Sequence, residues 1–128
     1  MKLLLDTQVF LWFISADPRL PNPWRDAIRD PANIVYLSVA SVWEAVIKSQ
    51  LGKLPLPSSA ELYLPQQRRR HAIRTLAIHE GAMVELAQLP PLHRDPFDRI
   101  IVAQARRYGL TVMTVDAVVK TYPVGVFV

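Results

Sequence analysis

The chain has 128 residues, 51% of them apolar, with 15 basic and 11 acidic side chains and a net charge of +4. That length suits one domain around one core, and the aromatic and β-branched content excludes a disordered chain. Cysteine is absent, which excludes disulfides and thiolate metal sites; the start Met1–Asp6 turns acidic too soon for a signal peptide, and the longest apolar run, Val9–Ile14, is far short of a membrane span, so a cytoplasmic protein without membrane contact is expected.

Apolar runs alternate with helical patterns, as in βαβ units. The expected fold class is α/β, with a mainly parallel sheet and one domain over residues 1–128. Lys2–Leu5 reads as a strand, and Asp6 and Thr7 cap a helix over Gln8–Ile14. A turn-rich stretch, Asp17–Pro23, leads to a short helix over Trp24–Asp30 that Pro31 stops. Ile34–Leu37 is the second strand. Ser38 caps the next helix, whose apolar residues Val39, Val42, Trp43, Val46 and Ile47 fall at helical spacing and predict a core stripe, and Gly52 ends it.

Residues 58–72 look helical, with Pro65 predicted to kink or split the helix. Ile73–Ile78 is the third strand and Glu80–Gln88 a helix. After the proline loop Pro90–Arg94, Asp95 followed by Pro96 is a strong helix start, and Phe97, Ile100, Ile101, Ala105 and Tyr108 form the stripe of a well-buried helix ending at Gly109. Thr111–Val115 is the fourth strand. A short helix over Ala117–Tyr122 and a last strand, Gly125–Val128, complete the chain.

Four carboxylates stand out in this layout. Asp6 and Asp116 each end an apolar strand, Glu44 lies on the helix after the second strand, and Asp98 lies in the first turn of the Pro96 helix. Ligands of open α/β sheets bind beyond the carboxyl ends of strands where strand order reverses. Each acid also has an ordinary role: Asp6 and Asp116 as helix caps, Asp98 at a helix dipole, Glu44 as an i,i+4 partner of Lys48. Capping alone does not explain acids beyond both strands, and Asp98 has Ile101 and Val102 where a helical ion-pair partner would be.

Gathered acids repel by about 4 kcal/mol per pair at 4 Å and an effective dielectric of 20, so a cluster makes sense around a cation. Oxygen ligands without His or Cys favour Mg²⁺ or Mn²⁺, ions that activate water and stabilise a departing oxygen in phosphodiester hydrolysis. Asp6, Glu44, Asp98 and Asp116 are therefore the candidate catalytic metal ligands. Asp95 is a secondary member with a capping role, and Thr7 and Thr114 are candidates to orient ligands. Arg68, Arg69, Arg70, Arg106 and Arg107 are candidate contacts for RNA phosphates, with a solvated helix face as the alternative for the first three. His71, His79 and His93 leave open metal-free cleavage by a general acid and base, although their spacing does not favour it. Trp12 and Trp43 are expected in the core, or one of them in a groove for a partner helix.

The segments Leu3–Thr7, Ser38–Glu44, His93–Ala105 and Thr114–Asp116 resemble those of a PIN domain, and most of all the VapC-type toxins of bacterial toxin–antitoxin pairs. The likeness covers essentially the whole chain. It implies an α/β/α sandwich, a Mg²⁺- or Mn²⁺-dependent endoribonuclease acting on RNA, a small cognate antitoxin that blocks the site, and a homodimer. DNA would be met only through the antitoxin. Asp6, Glu44, Asp98 and Asp116 fall on the family's acidic positions, and Asp95 on an acid frequent in this subgroup. Val115, where a smaller residue is expected, and Pro65 depart from the pattern. A regulatory module with an idle nuclease site and a housekeeping RNA-processing nuclease are the alternative functions.

Overall fold

The computed structural model describes residues Met1–Val128. Its elements run β1 (Lys2–Leu5), α1 (Thr7–Ile14), α2 (Asn22–Arg29), β2 (Ile34–Ser38), α3 (Val39–Gln50), α4 (Ala60–Arg70), β3 (Arg74–Leu76), α5 (Gly81–Gln88), α6 (Pro96–Tyr108) and β4 (Thr111–Met113), with one 3₁₀ turn at Val119–Thr121. The four strands form a parallel sheet in the order β3-β2-β1-β4. The chain steps outward from β1 through β2 to β3, then crosses back to place β4 on the other side of β1. Strand order thus reverses between β1 and β4, and a crevice opens beyond their carboxyl ends.

Side chains alternate across β1, so its two faces feed two cores. Leu3 and Leu5 join Val9, Phe10, Phe13, Ile28 and Leu64 from α1, α2 and α4. Leu4 joins Ala82 from α5 and Ile100–Ala103 and Ala105 from α6. Leu3, Leu4 and Leu5 are fully buried, each worth roughly 1.5–3 kcal/mol relative to exposure. The result is the α/β/α sandwich that the segments implied.

Several expected elements change on folding. The third strand shrinks to Arg74–Leu76 and the fourth to Thr111–Met113. The expected last strand is one parallel bridge, Val112 to Val126, and the expected helix before it is the 3₁₀ turn. Pro65 neither ends nor splits α4. The carbonyl it leaves unbonded belongs to Glu61, an exposed residue that water can serve. The stripe predicted for α3 is misplaced: Ala40, Ser41, Glu44 and Ala45 face inward, while Val39 and Trp43 are 43% and 59% exposed.

Gly52 and Gly109 end α3 and α6 in the left-handed conformation, with φ of 71° and 67°. Ala16 and Ala72 hold the same place after α1 and α4, at φ of 52° and 54°. At Ala72 the bonds from its own N–H to Arg69 and from Ile73 N–H to Arg68 close the helix end. A Cβ is unfavourable there. Ala72→Gly is expected to stabilise the protein by about 1 kcal/mol, measured by denaturant unfolding; a neutral or destabilising result would contradict this geometry.

Candidate metal centre

Asp6 leaves β1 at the switch point. Its N–H continues the ladder to the Met113 carbonyl at 3.0 Å. Its Oδ1 accepts from Val9 N–H at 2.7 Å and caps α1. Its Oδ2 accepts from the Thr114 hydroxyl, and that hydroxyl accepts from Asp116 N–H at 3.0 Å. Thr114 is fully buried, so one hydroxyl fastens the two acids to each other. Asp116 Oδ1 accepts from Val118 and Val119 N–H at 2.8 and 3.1 Å.

Glu44 enters from α3. Its Oε2 lies 2.8 Å from Lys48 Nζ, while its buried Oε1 has no hydrogen-bond partner. Asp98 enters from α6, whose cap Asp95 receives Phe97 and Asp98 N–H on its Oδ1. A cleft of about 310 Å³ is lined by Asp6, Glu44, Asp95, Asp98 and Asp116, with Thr7 and Lys48 among its other walls. All four predicted acids and Asp95 therefore meet in one place. Thr7 donates to Ser41 Oγ at 2.9 Å, tying α1 to α3 beside the acids.

α6 is fixed by a buried polar relay. Ser38 Oγ donates to Gln104 Oε1 at 2.5 Å, and Gln104 Nε2 donates to the Ala77 carbonyl at 3.1 Å. The relay connects the start of α3, the middle of α6 and the end of β3.

His93 also faces the acids. Its Nε2 lies 3.0 Å from Asp98 Oδ2 and 3.3 Å from Asp116 Oδ2. These three groups present ligand atoms within 4.8 Å of one another. In the sequence His93 stands with His71 and His79 as a candidate for acid–base cleavage; the signal for its place beside the acids is its position five residues before Asp98. No second histidine is near. His71 lines a separate cleft with Arg29, Arg70 and Arg74 at the amino ends of β2 and β3, and His79 is exposed on the loop before α5, so a histidine pair is not assembled.

The candidate arginines do not line the acidic cleft. Arg68 donates to the Ile73 carbonyl, and Arg69 is exposed beside it. Arg106 pairs with Glu85 at 3.0 Å, and Arg107 packs over Gly81. Lys48 and Arg94 are the basic groups of the cleft and its immediate neighbour. Trp43, expected in the core, instead stacks edge-on against Phe97 with ring centroids 5.0 Å apart.

Burial is the main reason that Asp98 titrates at about 7 rather than 3.8, with the Asp95 and Glu44 charges adding to it and His93 opposing it. Burial likewise raises Asp6, against the Thr114 and Val9 hydrogen bonds. Burial also pushes Asp116 upward, but the Val119 and Val118 N–H groups and His93 outweigh it and leave Asp116 low. Lys48 is raised, first by its bond to Glu44. The donors are hard oxygens, and an orphaned buried Glu44 oxygen stands among them. That set fits a small divalent cation.

The PIN domain family model matches residues 3–124. Ribonuclease VapC16 of Mycobacterium tuberculosis is 39% identical over 57 residues, 44% of this chain, and the match spans 40% of that relative's length. Among solved structures, VapBC2 from Rickettsia felis, bound to a DNA fragment from its promoter, aligns with a TM-score of 0.67 at 16% identity, over 98% of this chain and 96% of that one. FitAcB from Neisseria gonorrhoeae aligns with a TM-score of 0.60 at 24% identity, over 98% and 96% of the two chains.

The raised Asp98 gives a pH signature. Between 3.8 and about 7 the folded chain keeps a proton on Asp98 that the unfolded chain has lost, so this group's contribution to stability falls as pH rises through that window. Metal-free protein is expected to melt at a lower temperature near pH 8 than near pH 5, and Mn²⁺ to raise the melting temperature more at the higher pH. A melting temperature that rises with pH and ignores Mn²⁺ would contradict this account.

Proposed function

The chain belongs to the PIN domain family, and we propose that it is a divalent-metal-dependent endoribonuclease acting as the toxin of a toxin–antitoxin pair. One observation carries this reading. Asp6, Glu44, Asp98 and Asp116 come from four separate segments into one cleft at the switch point, with a buried Glu44 oxygen left unbonded. The named ribonuclease among its relatives supports the activity. The promoter-bound VapBC2 complex supports a partner through which DNA is reached.

In this reading the four acids hold Mg²⁺ or Mn²⁺, directly or through water, with Asp95 beside them. Such an ion, when bound, activates water and stabilises the leaving oxygen of a phosphodiester. The protein's part is alignment. Thr114 orients Asp6 and fastens the Asp116 backbone, the Ser38–Gln104 relay sets α6 and hence Asp98, and Thr7 braces α1 against α3. Lys48 and Arg94 provide positive charge beside the cleft for RNA phosphates. The exposed face carrying Val39 and Trp43 offers apolar surface to a protein partner, assigned here to the antitoxin. A homodimer rests on the family resemblance alone.

Asp6→Asn and Asp98→Asn are expected to abolish RNA cleavage while the far-UV circular dichroism is retained. Thr114→Val, which removes only the orienting hydroxyl, is expected to cost roughly 10–100-fold. Cleavage of RNA by purified protein with Mn²⁺, followed by excess EDTA, checks the assignment. Full activity in either asparagine variant, or activity that persists in EDTA, would refute it.

A further inference from the structure

His93 faces the acids, yet the proposed hydrolysis gives it no role. Its position is built rather than incidental. Its main-chain N–H donates to the Tyr122 hydroxyl at 2.9 Å, and that hydroxyl also accepts from Arg99 Nη1 at 3.1 Å. Arg99 Nη1 in turn donates to the Pro90 carbonyl at 3.0 Å. Tyr122 is 3% exposed, so the loop that carries the ring is pinned to the core.

The ring's orientation follows from its other nitrogen. Asp95 N–H donates to His93 Nδ1 at 3.2 Å. A nitrogen that accepts an N–H carries no proton, so the proton of the neutral ring sits on Nε2. Nε2 therefore directs an N–H toward Asp98 Oδ2 and Asp116 Oδ2. A metal-bound histidine needs the reverse arrangement: a lone pair on the ligating nitrogen and an N–H on the far one, facing an acceptor. Here the far nitrogen faces a donor.

The oxygens His93 touches are those that the local backbone leaves free. Asp116 Oδ1 is taken by Val118 and Val119, and Oδ2 meets only His93. Asp98 Oδ2 lies 3.0 Å from His93 Nε2. On the other side of the cleft Lys48 occupies Glu44 in the same way.

We propose that His93 is a positioning residue that stands in the cation's place, holding Asp98 and Asp116 together through its Nε2–H and giving way when a divalent ion bridges them. The proposal rests on reading the cleft as a metal site. Its consequence is a sign. A ligand's removal weakens metal binding, whereas a competitor's removal strengthens it, because the metal-free acids lose the donor that relieved their repulsion.

The test is calorimetric titration of Mn²⁺ into metal-free wild type, His93→Ala and His93→Gln, all at about pH 8, above the ordinary titration range of carboxylates and imidazole. His93→Ala is expected to bind Mn²⁺ about tenfold more tightly, the scale of one hydrogen bond to a charged group, and to melt lower when metal-free. His93→Gln keeps an N–H and is expected to stay near wild type in both. Electron spin-echo spectra of Mn²⁺-loaded wild type should lack imidazole nitrogen coupling. Weaker binding in His93→Ala, or nitrogen coupling in wild type, would make the ring a ligand and overturn the proposal, and so would unchanged affinity. Absence of Mn²⁺ binding in all three proteins would overturn the metal reading itself and the proposal with it.

Discussion

Like charges placed together at the carboxyl ends of β1 and β4 are the constraint around which this small fold is arranged. A carboxylate pair at 4 Å costs about 4 kcal/mol at an effective dielectric of 20, while a hydrogen bond to a charged group returns roughly 1.5–3 kcal/mol. Fixed donors offset that repulsion, and the cluster uses several. Val9 N–H holds Asp6, Val118 and Val119 N–H hold Asp116, and Lys48 holds Glu44. The Thr114 hydroxyl then joins Asp6 to the Asp116 backbone. Asp98 lacks such backbone donors, and it is the acid pushed to about 7.

The ordinary roles of these acids and their grouping into a site turn out to be compatible, because a carboxylate has two oxygens. Asp6 caps α1 with Oδ1 and meets Thr114 with Oδ2. Asp116 caps the turn after β4 with Oδ1 and faces His93 with Oδ2. Glu44 pairs with Lys48 through Oε2 and keeps Oε1 unbonded. One oxygen can serve a cap or an ion pair while the other keeps a different partner or none. A cap motif in sequence is thus no evidence against a site at the same residue.

The strand carriers of the acids were legible because apolar runs such as Leu3–Leu5 and the Asp95–Pro96 start are local signals, and local signals survive folding. The orientation of α3 was not. Its large apolar residues mark a stripe, but the helix must bring Glu44 to the cleft and approach α1 and α6 closely, and only its small face of Ala40, Ser41 and Ala45 permits that. Volume, which periodicity ignores, decided the face. β4 stops at Met113, before its expected end, because its ladder partner β1 ends at Leu5 opposite it, and the Thr114 beyond bonds Asp6, a partner 108 positions away that no window of sequence contains. The contact of His93 with Asp98 and Asp116 is illegible in the sequence for a related reason: its partners lie on α6 and beyond β4, and only the assembled loop brings them to its ring.

A cluster of this kind couples stability to occupancy. Burial and mutual repulsion raise Asp98 and Asp6 in the metal-free chain, so the folded state is stabilised by anything that neutralises the cleft, growing with the logarithm of ligand concentration over its dissociation constant. Lys48 supplies part of that neutralisation from within, and His93 Nε2 adds a polar contact to Asp98 and Asp116. These contacts relieve repulsion among the acids of the metal-free cleft, a relief that a bare set of carboxylates would lack. The relay through Ser38, Gln104 and Ala77 adds a mechanical part, since it ties α6, the helix that carries Asp98, to the edge of the sheet. Preorganisation of the cleft and its electrostatic strain are in this sense one property, carried by the same contacts.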